Sequence, residues 1–110
     1  MAEIIWTKPA DKDLEEIADY IAIDKVSAAV KLIDIILEKV GRLADFPESG
    51  RILPEFENSK YREIIVKPCR IIYFQKENKL YIVHVMRSER QLRRYMLEDV
   101  IHEKPSKYRT

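Results

Sequence analysis

The amino-acid sequence predicts an α+β domain whose elements follow the order β-α-α-β-β-β-α. Apolar residues recur at helical spacing in the first half of the chain, whereas the second half contains runs rich in β-branched and aromatic residues. The 110 residues, 46% of them hydrophobic, are enough for one core and too few for two. We therefore expect one domain over residues 1–102, in which an N-terminal strand and an antiparallel helical hairpin precede a three-stranded antiparallel meander that completes one sheet and a short C-terminal helix. Residues 103–110 are expected to form a polar, flexible tail.

The N-terminal elements are a short β-prone run over residues 3–7 and a helix over residues 8–23. Thr7 can cap this helix, and Pro9 lies close to the first-turn site where a missing N–H costs little. One face of the helix is apolar; its residues are Leu14, Ile17, Ala18 and Ile21. This spacing predicts a helix that packs through that face alone.

A second helix of about 18 residues follows a break at residues 24–27, which offer a second cap. Its apolar residues recur as Val30, Ile33, Leu37, Val40 and Ala44. Further apolar positions widen this stripe enough to serve both the first helix and a sheet. The helix ends before the turn at residues 46–50, because Pro47 restricts the residue before it and Gly50 supplies a free turn.

Three strands are predicted over residues 61–66, 70–75 and 80–86, with a short extended piece at residues 52–53. Tight connections at residues 67–69 and 77–79 make them a meander. The strands are apolar on both faces, so either both faces are covered or one is kept for a partner. A last helix is predicted over residues 89–100.

The charge is distributed unevenly along the chain. Residues 1–50 hold six Lys or Arg and eleven Asp or Glu, whereas residues 51–110 hold fourteen and eight, so the net charges are −5 and +6. Residues 60–94 alone carry +7, from ten Lys or Arg and three Glu. This asymmetry indicates either an anionic partner, such as nucleic acid or an acidic protein, or a basic rim that keeps the domain soluble.

Several classes of protein are disfavoured by the sequence. The single Cys69 excludes an internal disulfide, and neither His84 nor His102 has a second ligand at metal-binding spacing. There is no Gly-rich phosphate loop and no apolar run long enough to span a membrane. We therefore expect a cytoplasmic protein with no cofactor and no metal.

With those classes disfavoured, arginine is the residue type whose chemistry could still carry the function. A guanidinium binds phosphate in a bidentate manner and stabilises negative charge without a metal. Arg70 at one strand start could meet Arg87 and Arg90, which follow another strand, across the sheet. The alternative is that these arginines pair with Glu63 or Glu89.

The element order, together with several short motifs, resembles the RelE/ParE superfamily of toxins from type II toxin–antitoxin modules. The resemblance covers residues 3–98, and its motifs are Trp6-Thr7 leading into Asp13-Leu14, Phe46-Pro47-Glu48-Ser49-Gly50-Arg51, Tyr61-Arg62, Arg70-Ile71-Ile72-Tyr73 and Val85-Met86-Arg87-Ser88-Glu89-Arg90. Such toxins arrest growth, and the family is associated with plasmid stabilisation.

One branch of this superfamily, the RelE-like toxins, cuts messenger RNA in the ribosomal A site without a metal. For that activity the resemblance implies a site made of Arg62, Arg70, Arg87, Arg90 and Tyr95. Two positions depart from the pattern. Ile64 stands where a second basic residue is expected, and Tyr95 lies one residue beyond the expected tyrosine, which on a helix is a rotation of about 100°.

The ParE-like branch resembles the chain better, especially in the long helical hairpin and the Arg-Ser-Glu-Arg motif after the last strand. What is known of that branch implies binding to DNA gyrase, which is trapped on cleaved DNA without covalent chemistry by the toxin. The expected target-binding residues are Arg87, Arg90, Arg93 and Arg94, together with the exposed end of the hairpin.

Both branches imply a cognate antitoxin that forms a hetero-oligomer with the toxin. The resemblance implies an amphipathic antitoxin helix beside the hairpin and an extended piece added to a sheet edge. Tyr73, Phe74 and Tyr81 would then either face the antitoxin or belong to an ordinary core.

Overall fold

A computed structural model describes residues 1–90, 92–93 and 96–97. In order along the chain, the elements are β1 (Glu3–Trp6), α1 (Lys8–Asp24), α2 (Val26–Arg42), β2 (Arg51–Ile52), β3 (Arg62–Val66), β4 (Cys69–Lys76) and β5 (Lys79–Arg87). The five strands form one sheet in the order β1-β5-β4-β3-β2. The predicted α+β fold, with an N-terminal strand, a helical hairpin and a meander in one sheet, is confirmed. Within the described residues, no helix is long and apolar enough to cross a membrane.

Thr7 joins the start of α1 to β5, the strand beside β1 in the sheet. Its hydroxyl accepts the N–H of Ala10 at 3.4 Å, as the predicted cap requires, and donates to the carbonyl of Ile82 on β5 at 2.7 Å. Strand β1 runs parallel to β5, with Glu3 opposite Lys79. The sequence did not predict this pairing, because nothing local to either strand specifies a parallel partner so distant in the chain.

The hairpin packs against one face of the sheet. The buried residues of this core come from β1, both helices and alternate positions of the meander; among the largest are Trp6, Ile36, Leu43, Tyr73 and Leu80. The second cap predicted at residues 24–27 does not form by a side chain, because α2 follows Lys25, which makes no side-chain capping bond.

The opposite face of the sheet is also covered, although not by the helical hairpin. Its buried residues are Leu53, Ile72, Phe74, Val83, Met86 and Leu92, with Phe56, Tyr61, Tyr81, Met96 and Leu97 packed around them. The loop between β2 and β3 and the described residues after β5 therefore supply the cover. Tyr73 and Phe74 are fully buried core residues, whereas Tyr81 is half-buried.

The turn between α2 and β2 is fixed by Tyr73. Its hydroxyl donates to the carbonyl of Pro47 at 2.8 Å and accepts the N–H of Gly50 at 2.9 Å. A Cβ on Gly50 would lie 2.5 Å from the Tyr73 Oη and 2.7 Å from the Glu63 carbonyl oxygen. Gly50 is needed here for close approach to the sheet and not, as its turn position suggested, for a positive φ.

The predicted C-terminal helix over residues 89–100 lies largely outside the described residues. At its start, residues 88–90 form a turn, and the N–H of Met96 donates to the Arg93 carbonyl at 3.0 Å. The predicted tail, residues 103–110, lies entirely outside the described residues.

Candidate functional site

The candidate target-binding site is the exit segment, defined here as residues 87–90 and 92–93. The N–H and the hydroxyl of Ser88 both donate to the carbonyl of Pro68, at 2.9 and 3.0 Å, so the segment turns over the β3–β4 connection. The arginines at positions 87, 90 and 93 are exposed, and Leu92 is buried against the sheet. The described part of the predicted binding set is thus presented to solvent, while Arg94 lies outside the described residues.

Arg70 is buried beneath this segment, with only 7% of its side chain exposed. Its Nε donates to Glu63 at 2.6 Å, and its two terminal nitrogens each donate to one oxygen of Glu55 at 2.7 Å. Nη1 also donates to the backbone carbonyl of Arg90 at 3.1 Å. The guanidinium therefore donates four hydrogen bonds to groups of its own protein. The bonds to Glu55 and Glu63 raise the pKa of Arg70 further.

The two carboxylates that bind Arg70 are held differently. Glu63 is fully buried and also accepts a bond from Arg51 at 2.5 Å, so two guanidinium groups flank it. Glu55 is nearer the surface, and its bidentate bond with Arg70 lowers its pKa to about 2 despite the opposing effect of burial. Glu55 also accepts the N–H of Leu92 at 3.2 Å.

Arg87 and Arg70 do not meet across the sheet. Arg87 is paired with Cys69 and Arg70 with Met86, and these alternate positions project to opposite faces. Arg87 instead donates to Glu89 at 2.7 Å in an exposed pair that contributes little to stability. In this structure Arg70 pairs with Glu63 and Arg87 pairs with Glu89, as the alternative prediction stated.

The other residues of the predicted ribonuclease set are separated from Arg70. Arg62 lies on the helix side of β3, where it donates to the Gly50 carbonyl at 2.8 Å. Ile64, which replaces the second basic residue, packs against the core of the helix side. Tyr95 lies outside the described residues.

His84 has two acceptors, one on each ring nitrogen. Nδ1 lies 2.7 Å from a carboxylate oxygen of Asp13 on α1, and Nε2 lies 2.6 Å from the carbonyl oxygen of Met96. Both acceptors are satisfied at once when both ring nitrogens carry a proton, as they do in the imidazolium. Burial and the positive charge of Arg90 oppose protonation. The bond to Asp13, its negative charge and the bond to Met96 outweigh them, so the pKa of His84 is raised.

The same Asp13 oxygen accepts the N–H of Val85 at 3.0 Å. This bond lies just beyond the point where β1 stops pairing with β5. One carboxylate oxygen of Asp13 therefore binds both the open edge of β5 and the ring of His84. Sequence analysis missed this role, because Asp13 and His84 are distant in the chain and no local pattern relates them.

Cys69 is fully buried on the helix side of the sheet, and burial raises the pKa of its thiol. A buried, protonated thiol is a poor nucleophile. Among the described residues, no cluster of three or more His, Cys, Asp or Glu side chains could hold a metal ion.

Comparison with known proteins identifies the family. Residues 4–92 match the family model described as the ParE toxin of the type II toxin–antitoxin system parDE. The chain belongs to the ParE toxin family. Its ParE-like sheet and hairpin resemble a solved structure entitled "Chromosomal ParDE TA system from P. aeruginosa", with a TM-score of 0.68 and 26% identity over 81% of this chain and 98% of that one.

A curated relative of this ParE-family toxin is Toxin RelE2 of Caulobacter vibrioides. The two are 31% identical over 91 residues, which are 82% of this chain and 99% of the relative. The protein is thus a toxin of the RelE/ParE superfamily from a type II system, and this type of system implies a cognate antitoxin.

Glu55 is a second residue of this ParE-family toxin whose role the sequence analysis missed. It lies in the loop before β3, where a charged residue ordinarily indicates only a solvated surface. The available signal was weak: Glu55 follows Pro54 in a loop that must cover the apolar second face of the sheet. A buried arginine on that face requires carboxylate partners, and Glu55 is one of two within reach.

Proposed function

We propose that this ParE-family toxin stops growth in the cytoplasm by binding DNA gyrase and holding it on cleaved DNA, without covalent chemistry by the toxin. The observation that carries this proposal is the burial of Arg70 between two carboxylates. An arginine that stabilises a scissile phosphate must face the RNA. In this chain the corresponding guanidinium is bound by its own protein.

Freeing Arg70 for a phosphate would be costly. The movement would leave Glu63, whose side chain is fully buried, without one of its two cations, and it would break the bidentate bond to Glu55. Breaking a buried ion pair costs about 3–5 kcal/mol. A binding function avoids this cost, because Arg90 and Arg93 are already exposed.

The end of the helical hairpin offers a second contact surface for gyrase. Tyr20, Ile23 and Val26 lie at the close of α1 and the start of α2, and they are 68, 85 and 66% exposed. Exposed apolar groups clustered in this way are typical of protein contacts, in which aromatic anchors contribute much of the affinity.

The antitoxin, in this proposal, binds along the outer edge of β3. Strand β2 pairs with β3 only at Arg62 and Glu63, so the described residues leave the edge beyond Glu63 without a partner strand. A groove of about 540 Å³ runs beside it, with Phe46 and Ile65 exposed on its walls. Its cationic residues are Lys39, Arg42 and Arg51. An extended segment with acidic and apolar residues fits this edge and its charge.

The gyrase proposal is tested by titrating the purified toxin into a supercoiling reaction with gyrase and ATP and scoring linear DNA. We expect linear DNA to accumulate with toxin concentration. If gyrase is unaffected at concentrations that arrest growth, the proposed target is wrong.

The binding surface is tested by reversing Arg90, Arg93 and Arg94 to Glu. We expect the triple variant to lose growth arrest. The matched control reverses the exposed lysines Lys31, Lys76 and Lys79, which changes the net charge by the same amount. Lys76 and Lys79 pair with each other at the opposite end of β4 and β5 from Arg87. Equal loss in both variants would indicate a general charge effect and would remove the exit segment from the proposal.

A ribosome-dependent ribonuclease is the second candidate, and the name of the relative, Toxin RelE2, favours it. It predicts cleavage of messenger RNA in a reconstituted translation reaction without gyrase. Arg70→Ala, the obvious test of that mechanism, would confuse catalysis with folding, because it leaves Glu55 and Glu63 without their shared cation. Arg90→Ala is the cleaner variant, since its side chain is exposed.

A further inference from the structure

We propose that Glu55 and Arg70 form a clamp that positions the exit segment, and that Arg70 acts through this clamp and not by contact with the target. The functional part of this inference rests on the proposed function. The structural part does not depend on it.

The clamp holds the exit segment at two backbone points. Arg70 donates to the carbonyl of Arg90 at 3.1 Å, and Glu55 accepts the N–H of Leu92 at 3.2 Å. The two side chains are joined to each other by two bonds of 2.7 Å. One rigid bidentate pair thus binds the Arg90 carbonyl and the Leu92 N–H, which fixes the backbone at both of these points.

The clamp is itself attached to the sheet. Arg70 is part of β4, and its Nε is bonded to Glu63 on β3 at 2.6 Å. Leu92, only 2% exposed, inserts into the apolar cluster beside the pair. The backbone of the exit segment is therefore bound to the sheet by apolar and by ionic contacts, while the side chains of Arg90 and Arg93 stay exposed.

This arrangement explains why a buried ion pair is present so close to the surface. An exposed arginine on a free segment would lose side-chain and backbone freedom on binding a target. A segment that the clamp already orders loses less conformational freedom on binding. Glu55 and Arg70 therefore increase the affinity of the exit segment for the target without contacting the target themselves. Both are positioning residues.

The network offers a matched control. Arg51 also binds Glu63, at 2.5 Å, but it is 65% exposed and has no contact with the exit segment among the described residues. Arg51→Ala removes an ion pair from the same network and leaves the clamp intact. Glu55→Ala removes the clamp and leaves Arg51 and Glu63 paired.

The experiment compares the full chain with its Glu55→Ala, Glu55→Gln and Arg51→Ala variants by limited trypsin digestion, amide exchange at Leu92 and the gyrase reaction. We expect Glu55→Ala to increase cleavage within the exit segment and exchange at Leu92 by about tenfold, because a buried acceptor is lost. Arg51→Ala should leave both rates near those of the wild type. Glu55→Gln keeps one acceptor oxygen for the N–H of Leu92 and should lie between the two.

Equal cleavage and exchange rates in Glu55→Ala and Arg51→Ala would overturn the clamp. Should Glu55→Ala fail to fold, the comparison of Glu55→Gln with Arg51→Ala decides in the same way. A released exit segment with unchanged potency against gyrase would overturn the positioning role. Wild-type toxin without effect on gyrase would refute the proposed target alone, because digestion and exchange still measure the clamp.

Discussion

Removing the Tyr73 hydroxyl should lower the free energy of unfolding of the toxin by an amount that follows from the two hydrogen bonds of that hydroxyl. Tyr73→Phe keeps the ring, which is fully buried, and deletes the oxygen that joins Pro47 and Gly50. No apolar contact is lost. The free energy of unfolding therefore changes through two hydrogen bonds only.

The two bonds do not contribute equally. The N–H of Gly50 is buried, and leaving it without a partner costs about 1–3 kcal/mol. The carbonyl of Pro47 is only part-buried, so water can replace the lost donor. We expect a total near 2 kcal/mol. A domain of 110 residues has an unfolding entropy of about 230 cal/mol/K, so Tm should fall by about 9 °C.

Thermal unfolding followed by circular dichroism measures this change. Tyr20→Phe is the control, since its ring is 68% exposed and the same hydroxyl is removed without a buried partner. If Tyr73→Phe lowers Tm by no more than Tyr20→Phe does, Tyr73 does not hold the turn and the reasoning is refuted.

Three further changes should be measurable. Gly50→Ala should lower stability by about 1–3 kcal/mol in denaturant unfolding, because the new methyl group would overlap the Tyr73 hydroxyl. Asp13→Asn should cost more at pH 5.5 than at pH 8.5: the raised pKa of His84 means that its stabilisation is complete below pH 6.5 and is lost as the pH rises through the folded value. Glu55→Gln should have the opposite dependence, because the contribution of a carboxylate with a pKa of about 2 is complete above pH 4.5 and disappears as the pH falls toward 2.

Each of these changes has a control or a contradicting result. Gly41→Ala is the partner of Gly50→Ala, since nothing lies within 4 Å of its new methyl group and alanine in a helix should add about 1 kcal/mol. A cost of Asp13→Asn that does not change with pH would contradict the imidazolium at His84. A cost of Glu55→Gln that persists unchanged at pH 2 would contradict the charged bond to Arg70.

The elements of this fold could be predicted because their signals are local. Helical spacing on α1 and α2, the Thr7 cap and the β-rich runs of the meander each depend on residues close in the chain. Within the sheet only the neighbours in the meander were predicted, and the parallel pairing of β1 with β5 was not. The bounds of the strands differ from the predicted ones by at most one residue at each end.

The candidate site could be predicted only as a list of arginines. Which of them are free depends on the face of the strand and on carboxylates elsewhere in the chain. Alternation places Arg70 and Arg87 on opposite faces, and Glu55 reaches Arg70 from a loop whose path no local pattern determines. Long-range contacts of this kind decide whether a charged side chain binds a target or stabilises its own protein.

The parallel pairing of β1 with β5 has a consequence for synthesis of the toxin on the ribosome. Glu3 is opposite Lys79, so the first strand of the nascent chain has no partner until almost the whole meander has been translated. The hydroxyl of Thr7 likewise cannot donate to the carbonyl of Ile82 until β5 has been translated. Contacts of such large sequence separation slow folding. The newly made chain therefore cannot complete its sheet until β5 has been translated, so folding of the sheet lags behind synthesis of β1 and the helical hairpin.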